Sequence, residues 1–223
     1  MLRVSYRARV GRSQLFCGRD DITDTIVAMS FDDGPSKWTP PILEHLARHG
    51  ARATFFVCGK WIADWGPTLR RAVTEGHEIG NHSMTHPDLT TLTPDRIKTE
   101  IAETTLLLDR AVKTAPRLFR PPFLGQNDVV LDIAGSLGFE HTIGTAGPED
   151  YNIEQPEQIV ADVFERYVKP GSIIALHDAI PPNEPLGASL PTRQQTVTAV
   201  GEILKRLSAD GYRVVTVSEL VGR

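Results

Sequence analysis

The chain has 223 residues, 40% of them apolar and 23% charged, with a formal net charge of -4. This is the composition of an ordinary globular chain with one sizeable core, and the length does not by itself call for two domains. Lys and Arg are scattered rather than gathered into a basic stripe, which speaks against nucleic acid as a partner, and no run of 18 apolar residues asks for a transmembrane helix.

Residues 1–24 precede the first strand signal and are expected to pack on the outside, as an N-terminal extension to a single domain over 25–223. They carry arginines but no apolar leader core, so the chain as written reads as cytoplasmic, or as secreted or periplasmic where a leader has been removed. Residues 25–31 (TIVAMSF) form a short buried strand that runs into Asp32, Asp33, Gly34 and Pro35. A helix over 40–49 closes at Gly50, and 53–57 (ATFFV) is the second strand. A helix over 61–75 stops at Gly76, and 78–80 is a short strand before His82. The longest helical pattern is 94–113. Ile97, Ile101, Thr105 and Leu108 share a face, and Thr93-Pro94 supplies an N-cap with proline at the first position.

Residues 117–119 read as a strand, 127–137 as a helix closed by Gly138, and 140–143 as a strand. A helix over 156–167 and a strand over 172–176 (SIIAL) follow. A proline-rich loop, 181–191, precedes a helix over 194–209, a last strand over 213–217 and a closing turn capped by Ser218. Seven or eight strand–helix alternations imply an α/β fold with parallel strands, and a distorted (β/α) barrel of about seven units explains the count better than an open sheet. Cys17 and Cys58 are too few for a disulfide framework. One bridge between them stays open, though two free, partly buried thiols are the better reading.

The unusual polar residues fall at strand ends: Asp32-Asp33 after the first strand, His82 and His86 after the third, Arg120 after the fourth, Asp150-Tyr151 beyond the fifth and His177-Asp178 after the sixth. In a parallel barrel these ends share one rim, where active sites are built. A four-residue spacing on one helical turn would put both imidazoles on the same side, and a nearby carboxylate would complete three ligands of a catalytic metal with a position open for water. Alone, the two histidines are more simply read as capping or packing a loop. Adjacent aspartates point in different directions from an extended segment, so one can bind metal while the other faces substrate. Two carboxylates after an apolar strand are costly unless a cation or hydrogen bonds compensate.

The run Ser30-Phe31-Asp32-Asp33-Gly34-Pro35-Ser36 resembles the first motif of the polysaccharide deacetylases (carbohydrate esterase family 4, the NodB homology domain). His82-Ser83-Met84-Thr85-His86-Pro87 resembles the second, Arg120-Pro121-Pro122-Phe123 the third, Asp150-Tyr151 the fourth and Leu176-His177-Asp178 the fifth. The general layout is most similar to that of chitooligosaccharide deacetylases. The resemblance implies that Asp33, His82 and His86 bind Zn2+, or Co2+, Ni2+ or Mn2+ in its place. It makes Asp32 the general base towards the attacking water and His177 the general acid towards the leaving amine. Arg120 would hold Asp32, Asp150 would orient His177, and the backbone N–H of Phe123 would help bind the oxyanion.

Phe123 stands where the family usually has tyrosine, Tyr151 where it has tryptophan, and Ala175 where a leucine lines the acetyl-methyl pocket beside Leu176. The first change loses a hydroxyl, the second thins a groove wall and the third makes the pocket roomier. The expected activity is removal of N-acetyl groups from a glycan containing N-acetylglucosamine, such as chitin oligomers or peptidoglycan. An O-acetyl esterase on xylan-type glycans, a deacylase of another acylated sugar, and a non-catalytic glycan-binding barrel are the alternatives.

Overall fold

The computed structural model describes residues 12–185 and 187–222. Residues 1–11 of the expected N-terminal extension, and residue 186 of the proline-rich loop, lie outside the described residues.

The first strand comes earlier than the sequence signals. Strand β1, Gln14–Phe16, pairs in parallel with β6, so part of the segment expected to pack outside belongs to the sheet. Its three residues are too short and too exposed to show any apolar pattern. The chain continues as β2 (Ile26–Asp32), α1 (Thr39–Arg48), β3 (Thr54–Val57), α2 (Ile62–Thr74), β4 (Glu78–Asn81) and α3 (Pro94–Val112). Then come β5 (Leu118–Phe119), α4 (Asp128–Ser136), β6 (His141–Ile143), α5 (Pro156–Arg166), β7 (Ile173–His177), α6 (Gln194–Ala209), β8 (Arg213–Val215) and α7 (Val217–Val221).

Two expected caps differ. Thr93 occupies the N-cap of α3 but its side chain makes no capping bond. The closing turn is the helix α7, capped by Thr216 and Glu219 in a reciprocal box, while Ser218 lies inside the helix and hydrogen-bonds Glu78. Cys17 is exposed rather than partly buried, Cys58 is buried, and both are free thiols.

All ladders are parallel, in the order β1-β6-β5-β4-β3-β2-β7, with β8 paired to the start of β2. The path curls into a distorted barrel. Its two ends approach where the Arg19 N–H donates to the Gly171 carbonyl at 2.8 Å.

Strand β2 is buried on both faces, which is why it reads as a continuous apolar run. Val27, Met29 and Phe31 point outward into the main core beneath α1, α2, α5 and α6. Ile26 and Ala28 point inward, to Phe56, Leu118, Ile143, Ile173 and Val215. The inward positions then turn polar towards the C-terminal end, at Ser30 and Asp32. The barrel interior is therefore an apolar plug topped by a polar floor, and the site stands on that floor. Among the described residues no helix is long and apolar enough to cross a membrane.

Gly147, in the loop after β6, is packed so closely on β7 that a β-carbon there would overlap the Ala175 carbonyl. Gly147→Ala is expected to cost about 1–3 kcal/mol through overpacking. A thermal melt should show a Tm lowered by roughly 2–12 °C, at about 2–4 °C per kcal/mol for a chain of this size.

Candidate active site

The site begins where β2 runs out. The last residue of β2, Asp32, pairs in register with His177, the last residue of β7, so the two side chains leave neighbouring strands at the same height. Asp33 follows with φ 75, the left-handed region that aspartate tolerates better than most residues. A β-carbon at Gly34 would collide with the carboxyl of Asp178, so glycine is what lets that buried group stand behind the turn. Burial pushes the Asp178 carboxyl up to about 7; the Thr39 hydroxyl, which donates to it, opposes this, and the charges of Asp33 and Asp32 reinforce it.

His82 and His86 do not lie on a helical turn. The chain leaves β4 at Asn81 and forms an irregular loop with Ser83 at φ 65 and His86 at φ 60. The loop, not a helical repeat, brings the imidazole centroids within 5.0 Å. The Nε2 atoms of His82 and His86 lie 3.4 and 3.2 Å from Asp33 Oδ1. All three side chains are buried, and their candidate ligand atoms lie within 4.8 Å of one another. His82 Nδ1 donates to the Arg120 carbonyl at 2.7 Å, the bond that leaves Nε2 free to act as a ligand. Asp33 Oδ1 is buried with no hydrogen-bond donor. Burial opposes a charge on Asp33, but the facing imidazoles outweigh it and hold the carboxyl well below the usual carboxylate range. Two imidazole nitrogens and an unpartnered carboxylate oxygen converging on one point fit a divalent metal ion.

Two ion pairs flank this cluster. Arg120, fully buried, donates through Nη1 to Asp32 Oδ1 at 2.6 Å and to Ser30 Oγ at 2.9 Å, and its guanidinium lies 4.3 Å over the Phe56 ring. One residue thus steadies Asp32 through its side chain and His82 through its carbonyl. On the other side, Asp150 Oδ1 accepts from His177 Nδ1 at 2.7 Å. Its Oδ2 accepts from the His177 backbone N–H at 3.1 Å and from Thr196 Oγ1 at 2.7 Å. Burial disfavours a charged His177, yet the charge and hydrogen bond of Asp150, helped by Asp33 and Asp32, raise it to about 9.

These groups open into a cleft of about 600 Å³. Phe123, 69% exposed, forms one rim with its ring edge-on to His86 at 4.7 Å. Tyr151 faces it, edge-on to His177 at 4.9 Å. Ala175 lines the floor. Leu176, expected beside it, does not reach the cleft. Side chains alternate along β7, so Ala175 and His177 face inward while Leu176 packs in the outer core with Val27 and Phe31. The roomier pocket expected at Ala175 is partly taken up by Gly147, which closes down on that strand.

The polysaccharide deacetylase family model matches residues 19–142. The chain belongs to this family. The match ends before the last two motifs, but curated relatives extend it. The chain is 34% identical over 201 residues to a chitooligosaccharide deacetylase of a Bradyrhizobium species, covering 87% of this chain and 90% of that one. It is 35% identical over 201 residues to the peptidoglycan-N-acetylglucosamine deacetylase of Bacillus cereus, covering 89% of each. Among solved structures it is similar to a CE4 family pseudoenzyme from Bacillus anthracis, with TM-score 0.80 and 25% identity, covering 93% of this chain and 68% of that one.

Within this polysaccharide deacetylase framework the sequence reading missed three supporting residues. Thr196 of α6 holds Asp150. Arg193, 1% exposed, donates to the carbonyls of Ala179, Leu190 and Thr192 and so ties down the proline-rich loop. Glu100 of α3 hydrogen-bonds the loop between the two histidines. A signal existed for Glu100 and Thr196: both fall on the buried, mostly apolar stripe of their helices, where a polar residue needs a partner.

Proposed function

We propose that this chain is a hydrolase that removes N-acetyl groups from glycans containing N-acetylglucosamine, chitin oligomers or peptidoglycan, with Zn2+ held by Asp33, His82 and His86. The fold alone does not carry the reading, because a structural relative is described as a pseudoenzyme. One observation does. A carboxylate held by an arginine (Asp32) and an imidazole held by a carboxylate (His177) sit in register on neighbouring strands beside the candidate metal ligands.

An amide needs a strong nucleophile and a protonated leaving group. A divalent ion at the cluster supplies Lewis acidity and makes water acidic enough to attack at neutral pH. Asp32, kept oriented by Arg120, takes the proton from the attacking water. His177, kept protonated by Asp150, gives its Nε2 proton to the departing amine nitrogen. An arginine thus orients the base, and a carboxylate keeps the acid protonated. The main-chain N–H of Phe123 steadies the developing oxyanion. Phe123 and Tyr151 wall the sugar, and Ala175 receives the acetyl methyl.

The test is acetate release over a panel of glycans, with and without a chelator. Release from chitin oligomers or peptidoglycan, lost on chelation and restored by Zn2+, is expected. Release from acetylated xylan alone would replace the amidase by an esterase, and no release from any glycan would sink the enzyme reading.

A further inference from the structure

The loop between His82 and His86 is not held the way loops usually are. None of its four amides after His82 is satisfied by a main-chain carbonyl. Ser83 N–H donates to Asn81 Oδ1 at 2.8 Å and His86 N–H to Ser83 Oγ at 3.1 Å. Between them, Met84 N–H and Thr85 N–H both donate to one oxygen of Glu100, Oε2, at 2.9 and 2.8 Å. The Thr85 hydroxyl donates to the other, Oε1, at 2.8 Å. On the opposite side, Gly59 N–H and Lys60 N–H donate to the carbonyls of Ser83 and Met84 at 3.0 and 3.1 Å.

Glu100 is only 7% exposed, and its side chain hydrogen-bonds this loop. A buried carboxylate that accepts three hydrogen bonds from one four-residue span is a clamp on that span. The span needs one. Ser83 and His86 both sit in the left-handed region, which side chains other than glycine rarely adopt, and such backbone persists only where its surroundings enforce it. Glu100 reaches the loop because α3 presents it on the buried stripe with Ile97, Ile101 and Thr104.

We infer that Glu100 is a positioning residue for the metal centre: by clamping the amides of Met84 and Thr85 it sets the separation of the His82 and His86 imidazoles, and thereby the affinity for the ion. It touches neither substrate nor ligand atoms. The inference rests on the metal-site reading given above.

The experiment is a Zn2+ competition titration against a chromogenic chelator, run beside thermal melts of each metal-free chain. Glu100→Ala should weaken Zn2+ binding about 10-fold or more, the scale seen when groups that orient metal ligands are removed. Excess Zn2+ should restore most of kcat. Glu100→Met, which keeps the volume and removes every acceptor, should behave like Glu100→Ala and covers the case in which the smaller residue prevents folding. Glu100→Gln keeps an oxygen for the two amides and an NH2 for the Thr85 hydroxyl, and should bind Zn2+ within about 3-fold of the parent. Leu108→Ala, a core cavity on the same helix, should lower the melting temperature without changing Zn2+ affinity. Parent-like Zn2+ binding by Glu100→Met would overturn the inference, as would equal weakening by Leu108→Ala. A parent chain that binds no Zn2+ would instead remove the metal centre itself, and this inference with it.

Discussion

Asp32→Asn is expected to lower kcat by ~10²–10⁴-fold, the usual worth of a positioned general base, while leaving Zn2+ content unchanged. The asparagine oxygen can still accept from Arg120, which now donates to Asp32 at 2.6 Å, and the side chain keeps its volume. What it loses is the ability to take a proton. Asp33, the neighbour, faces the other way onto the two histidines, so the ligand set is untouched. The same change at Asp33 should instead reduce Zn2+ affinity along with activity. Rates measured beside metal analysis of the same samples separate the two aspartates. Equal loss of metal in both variants would mean that Asp32 is also a ligand, and undiminished kcat in Asp32→Asn would remove it as the base.

The sequence made the site visible because its residue types are expensive where they stand. Two aspartates ending a buried, mostly apolar strand, and a histidine ending another, are costly there without partners. Barrel topology then did the rest, placing Asp32 opposite His177 through strand register alone. Geometry within loops was not legible. The four-residue spacing of His82 and His86 has a helical meaning that the chain does not use, because Asn81, Ser83 and Glu100 satisfy the loop amides before a helix can. Strand β1 escaped because Gln14–Phe16 is held by main-chain ladder bonds to β6, which leave no trace in composition. Leu176 is the instructive miss. Once Ala175 and His177 are assigned to the cleft, period-two alternation already sends Leu176 to the outer core. Arg193 looks like an ordinary surface charge until the contacts of the proline-rich loop are known.

Asp150→Asn is expected to move the alkaline limb of the pH–rate profile down by about 1–3 units, the range over which an adjacent opposite charge shifts a titrating group. In the parent chain burial works against the imidazolium of His177, and Asp150, helped by the charges of Asp33 and Asp32, more than compensates, raising His177 to about 9 from an ordinary 6.5. A general acid must be protonated, so kcat/KM should hold through neutral pH and fall on the alkaline side. The single oxygen of asparagine can still accept from His177 Nδ1 and its NH2 can donate to the Thr196 hydroxyl, which keeps the ring placed while removing the charge, at the loss of the bond from the His177 backbone N–H. The variant should therefore lose activity at neutral pH and recover part of it on acidification, which a merely misplaced histidine would not do. Stability follows the same pair. The folded-state value lies above the unfolded one, so the contribution, about 3 kcal/mol, is fully present below pH 6.5 and is lost as pH rises through about 9. Melts of the chelated parent chain between pH 6 and 10 should show that decline, and melts of Asp150→Asn should be flatter over the same window. An alkaline limb that stays put in the variant would mean that it belongs to another group, and that His177 is not the proton donor.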